Sequence, residues 1–369
     1  MVSFQLDDEQ RMIRDTVADF AKNELRPAAR KCDEEGTIPE ELVRKAWDLG
    51  LVRNAIPESF GGFGAERSVF QGVLVAEELA WGDLSIALHV MAPALFALPV
   101  LEMGTGEQKS EHLPRFCADE FAAATMAVVE PSMSFDPASM TTRADPDGGD
   151  YVLNGRKCLV PLGSQAETFL VFAVTARGAG YAGVDGFIVP RKTTGLKKRE
   201  REKNMGLKAL DTIELELKEC RVPRNNRLGG DGGCNFLKLM NYSRIALTAA
   251  AVGVARAAFE YSRDYAKERV AFGEPIASRQ AIAFMLAEMA IEIDAARLLA
   301  WEAAWKMDRG EDVSRQAYLA KRYSADMVMK TTDRAVQILG GHGYIREHPV
   351  EMWLRNGRGF AAFEGLCMV

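Results

Sequence analysis

The hydrophobic period of the chain changes twice. Over residues 7–25, Met12, Ile13, Val17, Phe20 and Ala21 fall on one stripe, and over 39–49 Leu42, Val43, Ala46 and Leu49 do the same. Both spacings predict amphipathic helices, the first capped by Asp7 or Asp8. A loop at Pro57-Glu58-Ser59-Phe60-Gly61-Gly62 follows, then long apolar helices over about 68–80 and 84–103, closed by Gly104-Thr105-Gly106. Near Phe121 the period shortens to that of strands: 125–130, 151–160, 168–175, 185–189 and 212–218 are β-prone runs. Turn chemistry separates them at Asp147-Gly148-Gly149-Asp150, Asn154-Gly155 and Gly178-Ala179-Gly180. Strict alternation over 212–218 predicts a half-buried strand with one wet face, and the mixed-sign run 197–203 reads as solvated surface. Beyond the glycine-rich hinge at 229–233 the helical period returns over about 235–269, 278–310 and 314–339, with a short piece at 350–357. The expected fold is α+β and multidomain: an N-terminal helical domain (1–120), a central β-barrel-like domain (121–228) and a C-terminal four-helix-type bundle (229–369).

Composition narrows the function classes. The 369 residues are 48% hydrophobic and 27% charged, which excludes disorder and a disulfide scaffold. With 46 Lys and Arg against 52 Asp and Glu, the net charge of −6 supplies no basic face for nucleic acid. The start MVSFQLDDEQ has neither a basic nor an apolar leader region, and runs such as 246–258 are too short to span a bilayer. The expectation is therefore no membrane and a cytoplasmic location, which suits six scattered cysteines. Neither these nor the four histidines have ligand spacing, so no metal is expected.

Three segments carry candidate chemistry. Tyr265-Ala266-Lys267-Glu268-Arg269-Val270-Ala271-Phe272-Gly273 precedes Gln280; Gln337-Ile338-Leu339-Gly340-Gly341-His342-Gly343-Tyr344 follows; Phe363-Glu364-Gly365 lies near the end. Arg269 is a planar donor suited to a diphosphate, and Gly340-Gly341 allows close backbone approach. Phe272 suits a flat ring, and Gln280 and Gln337 suit the polar edges of a nucleotide. Taken alone, Arg269 equally suits an acid partner, the glycines a plain turn, and Glu364 a surface position. In this order, with Asn204-Met205-Gly206-Leu207 and Cys220-Arg221-Val222-Pro223, the segments resemble the acyl-CoA dehydrogenase family across nearly the whole chain.

The resemblance implies FAD, an acyl-CoA substrate, an electron-transfer flavoprotein as acceptor, and a homodimer or homotetramer in which Arg269, Phe272, Gln280, Gln337, Gly340 and Gly341 reach the neighbouring subunit's FAD. It makes Glu364 the catalytic base, its pKa raised by the apolar run before it, and gives the Glu364 backbone N–H to the thioester oxygen. It also exposes departures. In the family's TEPxAGSD segment, Val129 stands for the Thr that bonds the flavin and Phe135 for the Ser near the thioester. In WITN, Leu159 stands for the Trp and Pro161 for a second Thr. Leu366-Cys367 replaces Thr-Ser after Gly365, and the sequence ends at Val369 where the family continues with a further helix. On the substrate side Arg244 is kept, Asn241 replaces an Asp, and Ser243 holds the place where some members carry their base. Ile86, His89, Ala94 and Leu98 are candidates to line an acyl tunnel, His89 also suiting a structural role. Three readings stay open: an FAD-dependent dehydrogenase making a trans-2-enoyl-CoA, a flavin-poor relative doing redox-neutral chemistry on an acyl-CoA, and a partner subunit of a heteromeric dehydrogenase.

Overall fold

The computed structural model describes residues 5–64, 67–133 and 135–369. Ser134 of the 129–136 segment and residues 1–4 lie outside the described residues.

Helix α1 (Asp8–Phe20) starts on a capping box between Asp7 and Gln10 and runs through one π-type turn, Ala21–Leu25, directly into α2 (Arg26–Glu35). The hydrophobic pattern did not mark α2, because only Ala29, Cys32 and Asp33 face inward. α3 (Glu40–Asp48), α4 (Leu51–Asn54) and α5 (Val69–Gly82) follow. The expected helix over 84–103 is two, α6 (Leu84–Met91) and α7 (Ala94–Met103), bent by 41° around Pro93. α6 is buried on every side, and α7 nearly so, which explains why this run has no polar period. Among the described residues no single helix is long and apolar enough to cross a membrane. α8 (Gly106–His112) begins at Thr105, where the pattern suggested only a stop.

Seven strands form one open, curled sheet: β1 (Ala124–Ala127), β2 (Arg143–Asp147), β3 (Asp150–Pro161), β4 (Thr168–Val174), β5 (Val184–Pro190), β6 (Leu196–Arg201) and β7 (Thr212–Pro223). The order is β1-β4-β2-β3-β7-β6, with β5 also on β4. The mixed-charge run forms most of β6, an edge strand, where alternating cations discourage further pairing. Ile213, Leu215 and Leu217 of β7 point into the core as the alternation predicts. β3 slips register against β7 between Lys157 and Val160, and Leu159 within that bulge has φ 52°. Beside it, the fully buried Lys157 donates to Val128 O at 3.0 Å and to Glu130 Oε1 at 3.0 Å. Glu130 also accepts from the backbone N–H groups of Thr141 and Thr142. Burial alone would push the Glu130 carboxyl up; Lys157 and these threonines outweigh it and bring it down to about 2.

The third part is a bundle: α9 (Phe236–Glu268), the hairpin β8 (Val270–Ala271) and β9 (Glu274–Pro275), α10 (Gln280–Asp308), α11 (Ser314–Leu339), the turn α12 (Gly341–Tyr344) and α13 (Val350–Gly357). α9 is its axis and crosses α5 so closely that a Cβ on Gly253 would come within 2.2 Å of Glu77 O. Arg256 of α9 and Arg297 of α10 clamp Glu77 on α5, and Arg256 also binds Glu78. Bidentate carboxylate pairing thus joins the first and third parts of the chain.

Candidate active site

Glu364 reaches its place through two constraints on the next residue. Gly365 has φ +67° and packs so tightly on Val128 that a Cβ would lie 2.7 Å from Val128 Cγ2, so only glycine fits. Its N–H donates to the buried Ser243 Oγ of α9 at 3.0 Å. The Glu364 side chain, 12% exposed, then sits between α9 and α11, with Oε1 3.1 Å from Lys321 Nζ and Oε2 3.6 Å from Arg244 Nε. The second distance is beyond hydrogen bonding, and Oε2 is buried with no hydrogen-bond partner among the described residues. Arg244 directs Nη2 to Tyr181 Oη at 2.7 Å. Burial lowers the Arg244 pKa, but Glu364 and Tyr181 outweigh it and hold the guanidinium above its ordinary value. The Glu364 backbone N–H has no acceptor among the described residues. Where the apolar run before Glu364 suggested a purely desolvated carboxylate, packing of α9 and α11 adds two cations. Neither Lys321 nor Tyr181 carries a sequence signal for this role: one lies mid-helix, the other in a glycine-rich turn.

One turn before Arg244, Asn241 donates from Nδ2 to Ser314 Oγ at 3.1 Å, leaving its buried Oδ1 unpaired. Cys158 N–H donates to Val129 O at 2.8 Å, which brings buried Val129 beside the β3 bulge carrying Leu159 and Pro161. In this corner the Leu159 N–H points to both Glu202 oxygens at 3.1 Å, and Pro161 has no N–H to offer. Phe135 is half-buried against the main core.

A second group gathers at the far end of the bundle. The Tyr265 hydroxyl contacts His342 Nδ1 at 3.4 Å, joining the end of α9 to the Gly340-Gly341 turn after α11. Arg269, Phe272, Gln280, Gln337, Gly340 and Gly341 are all exposed there. The side chains of Arg269, Gln280 and Gln337 have no polar partner among the described residues, and a Cβ on Gly340 or Gly341 would meet nothing within 4 Å. Phe272 adopts φ 54° in the β8–β9 turn and is 96% exposed, a costly conformation that presents its ring outward. This open cradle of unpaired donors and an aromatic ring has the chemistry to grip a dinucleotide brought by another chain. It does not touch the Glu364 site within one chain.

The suggested tunnel residues part company. Ala94 and Leu98 line a cavity of about 340 Å³ whose wall includes Met368 and Val369, whereas His89 faces a separate cavity with Phe121, Arg201 and Asp211. Ile86 is fully buried. His89 stacks on Phe121 with ring centres 5.8 Å apart, and burial pushes its pKa down to about 4. Its folded value is depressed, so below the ordinary 6.5 the unfolded chain takes up a proton that the folded one refuses. Stability is therefore expected to fall by about 1.4 kcal/mol per pH unit between those two values. Urea unfolding of His89→Gln across pH 4–7 checks this: the variant's acid limb should be flatter, and an unchanged slope would contradict the assignment.

A helical layer, a curled sheet and a helical bundle, with a largely enclosed carboxylate on one side of the bundle and exposed unpaired donors at its end, are the architecture of a flavoprotein class of oxidoreductases. Residues 7–120, 125–220 and 230–366 match the N-terminal, middle and C-terminal domains of acyl-CoA dehydrogenase, respectively. The chain belongs to the acyl-CoA dehydrogenase family and is an oxidoreductase. It is 38% identical to the probable acyl-CoA dehydrogenase YngJ of Bacillus subtilis (strain 168), over 99% of this chain and 96% of that protein. Its fold superposes on butyryl-CoA dehydrogenase from Megasphaera elsdenii with TM-score 0.88 and 32% identity, covering 98% and 96% of the two chains. It superposes on the FAD complex of PigA with TM-score 0.89 and 26% identity, covering 98% and 95%. Family members bind FAD.

Proposed function

We propose that this protein catalyses α,β-dehydrogenation of an acyl-CoA thioester to a trans-2-enoyl-CoA, with Glu364 as the base. The observation that carries the reading is the Glu364 carboxylate itself: only 12% exposed, held in place through Gly365 between two cations, with a backbone N–H that has no partner among the described residues. The carboxylate suits removal of the thioester α-proton, and the N–H suits the charge that develops on the thioester oxygen. FAD, when bound, supplies the acceptor for the β-hydride. Arg269, Phe272, Gln280, Gln337 and the Gly340-Gly341 turn fit its nucleotide half. Around the ring this chain offers apolar contacts instead, Val129, Leu159 and Pro161, with the Leu159 N–H already occupied by Glu202.

Because the cradle is remote from Glu364 in one chain, the reading requires an oligomer. Phe284, Ile291, Leu298 and Trp305 of α10, from 45% to 68% exposed, recur every seven residues and form a stripe suited to a helix of a second copy. The electron-transfer flavoprotein implied by the family resemblance is the proposed acceptor of the electrons.

The visible spectrum of the purified chain, with and without added FAD, tests the reading. A flavin band bleached anaerobically by acyl-CoA supports it. No band even in excess FAD counts against it and favours the third reading, a subunit that lends its cradle to a flavin held by a different chain; the open cradle together with the altered ring contacts is what favours that alternative. If the cradle acts across subunits, Arg269→Gln should weaken FAD binding by about 10- to 100-fold in a fluorescence titration, the loss of one charge-assisted contact. Unchanged affinity would remove Arg269 from the cofactor site.

A further inference from the structure

We propose that Lys321 is a positioning residue for Glu364, a role that rests on the reading of Glu364 as the base. The two carboxylate oxygens have unequal surroundings. Oε1 is paired with Lys321 Nζ at 3.1 Å, whereas Oε2 is buried and lacks a hydrogen bond. The tie to Oε1 sets the rotation of the carboxylate between α9 and α11. The second cation would otherwise spoil this arrangement, since a guanidinium readily takes both oxygens of a carboxylate in a fork. Tyr181 prevents that by accepting from Arg244 Nη2 at 2.7 Å, so that Arg244 faces Oε2 only with Nε, at 3.6 Å. Lys321 comes from α11, Arg244 from α9 and Tyr181 from the turn before β5; the arrangement exists only when the bundle and the sheet are packed together. Removing the Lys321 charge leaves Oε1 without its tie, so the carboxylate is free to rotate and its set orientation toward the substrate is lost.

The step affected is a proton transfer. The substrate α-C–H bond breaks, an O–H bond forms at the Glu364 carboxylate, and the electron pair moves to the thioester oxygen facing the Glu364 N–H. In D₂O the same step returns a deuteron to the α-carbon, so it is read without any net oxidation. The experiment follows α-deuteration of acetyl-, butyryl- and octanoyl-CoA by mass spectrometry, anaerobically, with the full-length FAD-loaded protein and its variants. Lys321→Met and Lys321→Gln, two neutral replacements of different polarity so that one misfolding variant leaves the other, are expected to lower kcat for exchange about 10- to 100-fold. KM should stay within about twofold, and Lys321→Arg should restore most of the rate. Exchange at the wild-type rate in the neutral variants overturns the proposal. So does a loss that Lys321→Arg fails to relieve, which marks Lys321 as a packing residue. The base assignment is judged separately: if wild-type exchange is absent, or persists in Glu364→Gln, that assignment falls and the role of Lys321 falls with it.

Discussion

Glu364→Gln is expected to slow anaerobic bleaching of the bound flavin by acyl-CoA about 10³- to 10⁴-fold while leaving FAD content unchanged. The magnitude is that of removing a positioned general base. A glutamine keeps the length and shape of the side chain, and its amide oxygen still accepts from Lys321, but it has no oxygen basic enough to take an α-proton. The tether from Gly365 to Ser243 does not involve the carboxylate and should survive. The variant leaves Arg244 and Lys321, 6% and 15% exposed in their side chains, without their shared counter-charge. A stability loss on the order of 1–3 kcal/mol should accompany the loss of activity. Stopped-flow absorbance with flavin content measured on the same sample separates the two effects. Bleaching within tenfold of the wild-type rate would remove Glu364 from the chemistry and require a different base for the dehydrogenation.

The second large effect is on stability. Lys157→Met is expected to destabilise the protein by about 3–5 kcal/mol, the cost of leaving a buried carboxylate without its cation. Lys157 is fully buried and Glu130 is 4% exposed, so water cannot replace the lost partner. Burial has pushed the Lys157 pKa down to about 8 even with Glu130 opposing it, which shows how little solvent reaches the pair. The double variant Lys157→Met with Glu130→Leu removes both charges and should regain part of the loss, because an apolar pair avoids desolvation altogether. Urea unfolding of the wild type, the single and the double variants at pH 7 checks both statements. A single-variant loss below about 1 kcal/mol would show that the threonine donors alone satisfy Glu130. The acid side follows from the sign of the Glu130 shift. Its folded value, about 2, lies below the ordinary 4.5, so its contribution is complete above 4.5 and is lost as pH falls toward 2. Val128 and Glu130, both held by Lys157, flank Val129, so loosening this pair should also loosen the chain around Val129.

Much of the architecture was legible because it follows from local period. The boundaries of α11 and α13 coincide with the helical pattern, and the alternation in β7 gave its buried face correctly. The pattern was silent where burial removes it or polarity hides it. The run 84–103 has no polar face because the whole segment is inside, so the bend at Pro93 left no mark in the hydrophobic period. β6 reads as loose charge because an edge strand needs few apolar side chains.

The same division holds for the candidate site. The residues proposed to meet a ligand through their own chemistry, Arg269, the Gly340-Gly341 turn and Glu364, are visible in sequence because few residue types can do those tasks and their order is distinctive. Lys321 and Tyr181 are not, because a lysine in mid-helix and a tyrosine in a turn are common and acquire a role only from what faces them. Sequence alone therefore determined the order of helical and strand segments and the family. Tertiary structure decided the charge environment of the Glu364 carboxylate and which cation faces each of its oxygens. It also decided that the exposed group around Arg269 and Gly340-Gly341 lies at the other end of the bundle from Glu364. These are distances between residues 43 to 120 positions apart in sequence, Lys321 to Glu364 and Arg244 to Glu364, and they are set by how α9, α11 and the segment after α13 pack.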